Sequence, residues 1–313
     1  MVAYLVRRLL YAVPILIGVS LVTFVLFYVV VPPRQLARRN LTSRHPSNEE
    51  IQDWLHAHGY DKPLRVQFGK HMKELLLFQF GKSDASEEPV WDKIHQGAGP
   101  SLMLAIPEFF ASIALTIALA LLVAYYRGTY LDYWGVALCV VLMSINYILF
   151  IFAGQYVFAK LLRIYPLAGF HRGWEGFRFI LLPSVVGLIS GLGGAVRYYR
   201  AAFLEEMGQD YVRTARSKGV PETRILFTHV LKNAASPILT AVVLSIPFLF
   251  LGNLIMETFF GIPGLGSITV DAINSGDFAV VRAMVFLGTV AYIIGNIMTD
   301  VSYALVNPRV RLE

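Results

Sequence analysis

Charge is scarce in this chain. Charged side chains make up 15% of the 313 residues, against about a quarter in an ordinary soluble domain. Cysteine is nearly absent. Cys139 stands alone inside an apolar run, which excludes an intrachain disulfide and any CxxC or Cys/His metal pattern, and it reads as a small packed hydrophobe. No Ser/His/Asp or Cys/His set can be assembled for nucleophilic catalysis. "GIPGLGS" (residues 261–267) is glycine-rich but lacks the Lys-Ser/Thr ending of a phosphate-binding loop. Basic residues interleaved with aromatics on a soluble face are also missing, which sets nucleic acid aside.

What the chain has is apolar surface. Hydrophobic residues reach 56% and the mean hydropathy is +0.57, with runs long enough to cross a bilayer. The first, residues 9–31, follows Arg7 and Arg8 and ends in Val31-Pro32-Pro33. It is longer than the apolar core of a signal peptide and lacks a small-residue cleavage site, so it reads as a retained anchor. Five further spans are predicted at 102–126, 136–162, 177–196, 238–256 and 284–306, with kinks expected at or near Pro166, Pro183, Pro237 and Pro247. The predicted fold is all-α and polytopic, divided into 1–31 (tail and first span), 32–100 (a helical loop outside the membrane) and 101–313 (five-helix core, with a polar loop at about 197–237).

Within the loop, "SNEEIQDWLHAHG" (47–59) carries a capping box, Ser47 with Glu50, and a stop at Gly59; residues 63–81 predict a second amphipathic helix. Arg7, Arg8, Arg127, the 211–237 stretch, Arg309 and Arg311 put positive charge on one side, so both termini are expected in the cytoplasm. Lys160, Arg163, Arg172 and Arg178 count the other way.

The stretch "YVRTARSKGVPETRILFTHVLKNAASP" (211–237) is too cationic to be a span. Arg213, Arg216, Lys218, Arg224 and Lys232 would each cost about 2.5–3.5 kcal/mol at a helix centre. Its punctuation predicts a short helix N-capped by Asp210 and stopped at Gly219, then a second helix with Pro221 at its first position, Glu222 near its N-terminus and Lys232 near its C-terminus. Tyr211, Ala215 and Gly219 recur every four residues, which gives a smooth face for close docking. A solvated loop with ordinary caps explains the same residues equally well.

Here "QDYVRTARSKGV" and "HVLKNAASPILT" resemble the EAA loop of permease subunits in binding-protein-dependent ATP-binding-cassette importers, of the dipeptide/oligopeptide B-subunit type. "YLVRRLLYAVPILIGVSLVTF", "GYDKPLRVQF", "FGKS", "METFFGIPGLGSITVDAI" and "DVSYALVNPRVR" match in the same order along nearly the whole chain. The resemblance implies a type I importer permease fold and, as substrate, a peptide before the family's other cargoes, which are nickel, haem, opines and antimicrobial peptides. It implies a C-type second permease, two cytoplasmic ATPases, which would hold the ATP and Mg, and an extracytoplasmic binding protein as partners, with no cofactor or catalytic motif in this chain. By resemblance, Asp210, Tyr211, Arg213, Thr214, Ala215, Gly219, His229 and Asn233 belong to the ATPase-coupling loop. Arg213-Thr214-Ala215 stand at the Glu-Ala-Ala positions. Asn146, Gln155, Glu257, Gly261, Pro263 and Gly264 are candidates for the translocation path or gate, with Glu257 expected to be solvated at an interface.

The chain departs from the family pattern at "VPPRQLARRN" after the first span, at "SINY" (144–147), where Asn146 replaces proline, and at "FGKS" in the outer loop. "DAINSGDF" (271–278) fails a calcium-loop pattern at Ile273. His56 and His58 are expected on different helix faces, against a shared metal. Gly187, Gly191, Gly193 and Gly194 suit close helix packing, within the chain or at a seam with a second permease. Asn296 and Asp300 are further polar groups in the sixth span. Two rivals are an ion-coupled secondary transporter, which the near-absence of ionisable residues inside spans 1–5 opposes, and a non-transporting assembly subunit, which has no need of the EAA-like loop.

Overall fold

The computed structural model describes residues 2–41, 46–171, 173 and 175–306; Arg172, Arg309 and Arg311 lie outside these. Helices dominate, and the sole strand-like feature among the described residues is an isolated bridge between Lys82 and Pro89. Helix α1 (Val2–Phe24) continues through a π-helical turn to Val30. Three short helices follow, α2 (Pro33–Asn40), α3 (Asn48–His58) and α4 (Leu64–Leu76). Helix α5 (Val90–Tyr125) begins well before the expected residue 102. Its 36 residues reach about 54 Å, far beyond a hydrocarbon core of about 30 Å, so its polar first turns stand clear of the membrane.

Four segments are long and apolar enough to cross a bilayer: Val6–Val30, Val90–Tyr125, Gly176–Met207 and Phe278–Ser302. Two bent pairs bring the number to as many as six when each pair is counted as one span. Helices α6 (Tyr130–Ser144) and α7 (Tyr147–Gly154, continuing to Leu161) meet at 95°, so the expected straight span 136–162 is broken. The break falls at Asn146, whose side chain accepts from Ile148 N at 2.9 Å and starts the new helix. The second pair bends by 55° between Glu222–Asn233 and α12 (Ala235–Leu249). Pro237 explains it, because its ring cannot donate to the carbonyl of Asn233. Pro183 and Pro247 lie inside α8 (Gly176–Met207) and α12, and Pro166 lies in the loop after α7. The expected fifth span, 238–256, stops at Leu249; α13 (Leu254–Phe260) and α14 (Leu265–Ser275) follow as separate short helices before α15 (Phe278–Val306).

The segment between α1 and α5 is ordered by local capping and by docking. Ser47 and Glu50 form the expected reciprocal box at 2.9 and 3.2 Å, and Gly59 closes α3 at φ +74°. The second amphipathic helix spans only Leu64–Leu76, where Phe78 turns the chain at φ +55°. Phe24, Tyr28, Tyr60 and Trp54 stack in a row from α1 to α3, at 4.7, 5.1 and 5.7 Å. His71 is buried beside Arg282; desolvation and the guanidinium push its imidazole down to about 4, so the ring is neutral at pH 7.

Asp277, missed in the sequence, fastens this segment to α15. It is 1% exposed, accepts from Asp84 N at 3.0 Å and from Ser83 Oγ, and pairs with Lys93 Nζ at 3.4 Å. Asp84 answers by accepting from Ala279 N at 2.9 Å. Asp277→Ala leaves this donor set buried and unmatched, a loss of about 3 kcal/mol. We expect faster hydrogen exchange across residues 82–94, with the rest of the bundle protected as before.

Candidate functional site

Two regions gather the candidate residues, at opposite ends of the helices. At one end α8 leads into α9 (Asp210–Ser217), a glycine turn, and the segment Glu222–Asn233, which comprises α10 (Glu222–Arg224), a π-helical turn and α11 (Leu231–Asn233). Gln209, not Asp210, is the N-cap of α9; Asp210 is its first residue and its carboxylate favours the N-terminal dipole. Pro221 likewise caps the next helix from one position earlier than expected. Gly219 sits at φ +74° with nothing within 4 Å of a Cβ placed on it. Its role is therefore conformational, a left-handed turn that L side chains adopt at a cost.

The smooth docking face expected from Tyr211, Ala215 and Gly219 does not form. Ala215 is turned inward with Val212, 8% and 0% exposed, against Phe203, Ile225, Leu226 and Val230. The same apolar cluster takes in Ala120 and Ala124 of α5, Cys139 of α6 and Ile238 of α12. The outward face of the pair is polar and basic instead. Arg213 is 74% exposed, with only a loose 3.5 Å contact to Asp210. Thr214 bonds back to Asp210 O, and Tyr211 Oη donates to Glu206 at 2.6 Å. Asn233 donates to the His229 carbonyl at 2.9 Å. Arg216 clamps α9 to α10 through Glu222 at 2.5 Å. Beside them Phe227 is 64% exposed.

At the opposite end the expectation for Glu257 is overturned. Its side chain is fully buried. Glu257 Oε1 accepts from Ser101 Oγ at 2.7 Å and Asn253 N at 3.0 Å; Oε2 accepts from Gly266 N at 2.7 Å and Ser267 N at 3.1 Å. Ser101 in turn accepts from Leu265 N at 2.8 Å. The carboxylate thus organises α13, the start of α14 and the wall of α5. Gly264, at the N-cap of α14, and Gly252, at φ +73°, approach it so closely that a Cβ on either would overlap it. Gly261 closes α13 at φ +62° beside Gly169, whose N donates to Phe260 O at 2.8 Å. Gln155 donates to Leu167 O and Phe259 O at 3.2 and 2.9 Å, tying α7 to the same unit. Pro263 lines a neighbouring 350 Å³ recess. Asn146 is in none of these contacts; it caps α7.

The glycines of α8 divide. A Cβ on Gly193 would meet Cys139 O at 2.6 Å, so it packs on α6, and Gly187 lies under Glu108; Gly191 and Gly194 face open space. Asn296 bonds only within its own helix, and Asp300 pairs with Arg8 at 2.8 Å. His56 meets Asp61. Among the described residues no group of His, Cys, Asp and Glu could hold a metal ion. Glu108, in the middle of α5, went unnoticed in the sequence because it is one carboxylate in a long apolar run.

These features define a multi-pass helical membrane protein with a basic helix pair at one end and a carboxylate-centred helical unit at the other. A family model described as "Binding-protein-dependent transport system inner membrane component" matches residues 116–312, and a companion model for the N-terminal part of such components matches residues 1–105. The chain belongs to this family and is a permease subunit of a binding-protein-dependent transport system in the inner membrane. It is 31% identical to the glutathione transport system permease protein GsiC of Salmonella typhimurium, over 100% of both chains. It is 29% identical to the probable peptide ABC transporter permease protein y4tP of Sinorhizobium fredii (98% of this chain, 99% of the relative). The dipeptide transport system permease protein DppB of Alkalihalophilus pseudofirmus is 26% identical (99% and 100%).

Replacing Glu257 by Gln puts an amide donor among four donors. Each hydrogen bond to the charged group is worth about 1.5–3 kcal/mol. Glu257→Gln should lower the thermal unfolding temperature of the purified protein by several degrees, and Glu257→Ala by more.

Proposed function

We propose that this chain is one half of a paired permease that imports peptides, driven by two ATPase subunits docked at the 208–235 helix pair. The relatives named for peptide, dipeptide and glutathione transport support the substrate class. The second half is a homologous C-type permease. A binding protein delivers substrate at the opposite end, on the segment within residues 32–100. In this arrangement the termini and the helix pair are cytoplasmic, residues 1–31 form the tail and first span, and residues 101–313 form the translocating core. ATP and Mg belong to the ATPases, and this chain contributes movement, not catalysis.

The single feature that carries this reading is the seating of α9. Val212 and Ala215 join it to the apolar cluster that holds α5, α6, α8 and α12 together. A push on the exposed face at Tyr211, Arg213, Thr214 and Phe227 therefore reaches four membrane helices at once, because packed interiors deform little. Arg213, at the position where the family pattern has glutamate, is free to meet an acidic group on the ATPase.

Gly219→Val forces a β-branched side chain into a left-handed turn, at about 1–2 kcal/mol, and tilts α9. We expect ATP-dependent peptide uptake by the reconstituted importer to fall at least about tenfold while the binding protein still docks. Unchanged uptake, or failure of the purified chain to associate with any ATPase, overturns the proposal. An ion-coupled transporter predicts instead uptake abolished by a protonophore and indifferent to ATP.

A further inference from the structure

A carboxylate in the apolar part of a membrane-crossing helix calls for a partner or a function. Glu108 stands at the start of the longest uncharged run of α5, within the Val90–Tyr125 span. It lines a cleft of about 550 Å³ between α5, α8, α12 and the turn before α13. Ser112, Thr116, Tyr199, Ser245 and Asn253 bring further polar groups to the same walls. Three other acidic groups of the bundle are paired with cations: Asp277 with Lys93, Asp132 with Arg200, Asp300 with Arg8. No cationic side chain lines the cleft with Glu108. Among the described residues, no hydrogen bond or ion pair reaches the Glu108 carboxylate.

Gly187 shows that the space for this carboxylate is built. A Cβ there would overlap Glu108 Oε1 and stand 2.7 Å from its Cδ. The side chain lies on the bare backbone of α8, and any larger residue at 187 displaces it. The cleft also adjoins the Glu257 unit. Asn253, one of its lining residues, donates from its backbone to Glu257 and from its side chain to Tyr147 Oη at 2.8 Å. A group held at Glu108 is therefore beside the one turn that links α12, α13 and α7.

We infer that Glu108 is a specificity-determining residue that receives the free ammonium group of the transported peptide as it passes through this cleft. An arriving ammonium group supplies the counter-charge that this partnerless carboxylate lacks, and the hydroxyl and amide groups around it can take the remaining ammonium protons. The inference rests on the peptide reading above for its substrate, but the charge of the cleft can be tested without transport.

The test uses the assembled importer with Cys139→Ala and Ser112→Cys, with labelling read on this chain alone, so that its one thiol reports on the cleft. Its reaction rates with a trimethylammonium methanethiosulfonate and with the anionic sulfonate reagent are compared. The cation is expected to react faster, and Glu108→Gln should cut the cation-to-anion ratio about tenfold, as expected for a charge focused in a cleft. Trialanine should slow the cationic labelling, and N-acetyl-trialanine should not. Gly187→Ala, which keeps the carboxylate but moves it, should lower the ratio without preventing assembly, and so guards against a misfolded Gln variant. An unchanged ratio in both variants overturns the proposal, as would be the case if a cation of the second permease already occupied Glu108. A lowered ratio with equal protection by both peptides overturns the assignment to the amine. Wild-type uptake of trialanine is measured separately. If the ratio behaves as expected but no peptide is carried, the peptide reading fails and the cation-attracting cleft stands.

Discussion

A carboxylate sealed from water must be satisfied by the protein around it, and four donors converge on Glu257 to do so. Much of one end of the permease follows from this requirement. Two of the donors are backbone N–H groups at the start of α14, where a helix leaves amides unsatisfied and favours negative charge. A third is the backbone of Asn253, and the fourth is Ser101 on α5. The two short helices between the last spans are therefore not a slack connection. They are folded around one charge and fixed to the second span by it.

A second buried carboxylate acts in the same way nearby. Asp277 joins the start of α15 to residues 83–93, and Asp84 returns a bond to α15. The segment between α1 and α5 is thus part of the same polar framework as α15. The opposite end is held differently, by an apolar cluster that runs from α5 through α8 into α9. Hydrogen-bonded charges are geometrically exacting, whereas apolar packing transmits displacement without fixed pairings. The permease is stiffly registered at one end and joined through packing at the other.

What the sequence revealed follows this division. Features decided within a few residues were legible: the Ser47–Glu50 box, the stop at Gly59 and the left-handed Gly219. The break in the third span was only partly legible. Asn146 stands where the resembled family pattern has proline, and the chain still bends, because an asparagine that caps a new helix interrupts the old one as proline does. Residues whose roles depend on distant partners were not legible. Ala215 was expected to face outward, and it packs on Phe203 and Ile225. Glu257 was expected in solvent, and its partner Ser101 is 156 residues away. Glu108 drew no notice, since nothing local marks a lone glutamate as lying over a glycine on another helix.

The separation of Glu257 from Glu108 shows how one fold treats the same side chain in two ways. Glu257 has every oxygen matched, so it has no capacity left for a ligand and serves structure. Glu108 has none matched, and it faces a cleft. Asn253 stands between them, with its backbone committed to the first and its side chain to Tyr147 of α7. A cation drawn to Glu108 therefore acts on a wall whose position is already fixed by Glu257. Any movement of that wall must carry α13 and α14 with it, because breaking the Glu257 network would bury an unpaired charge. A rigid displacement of this whole unit about the bends at Asn146 and Ala234 is the movement that leaves the Glu257 network intact.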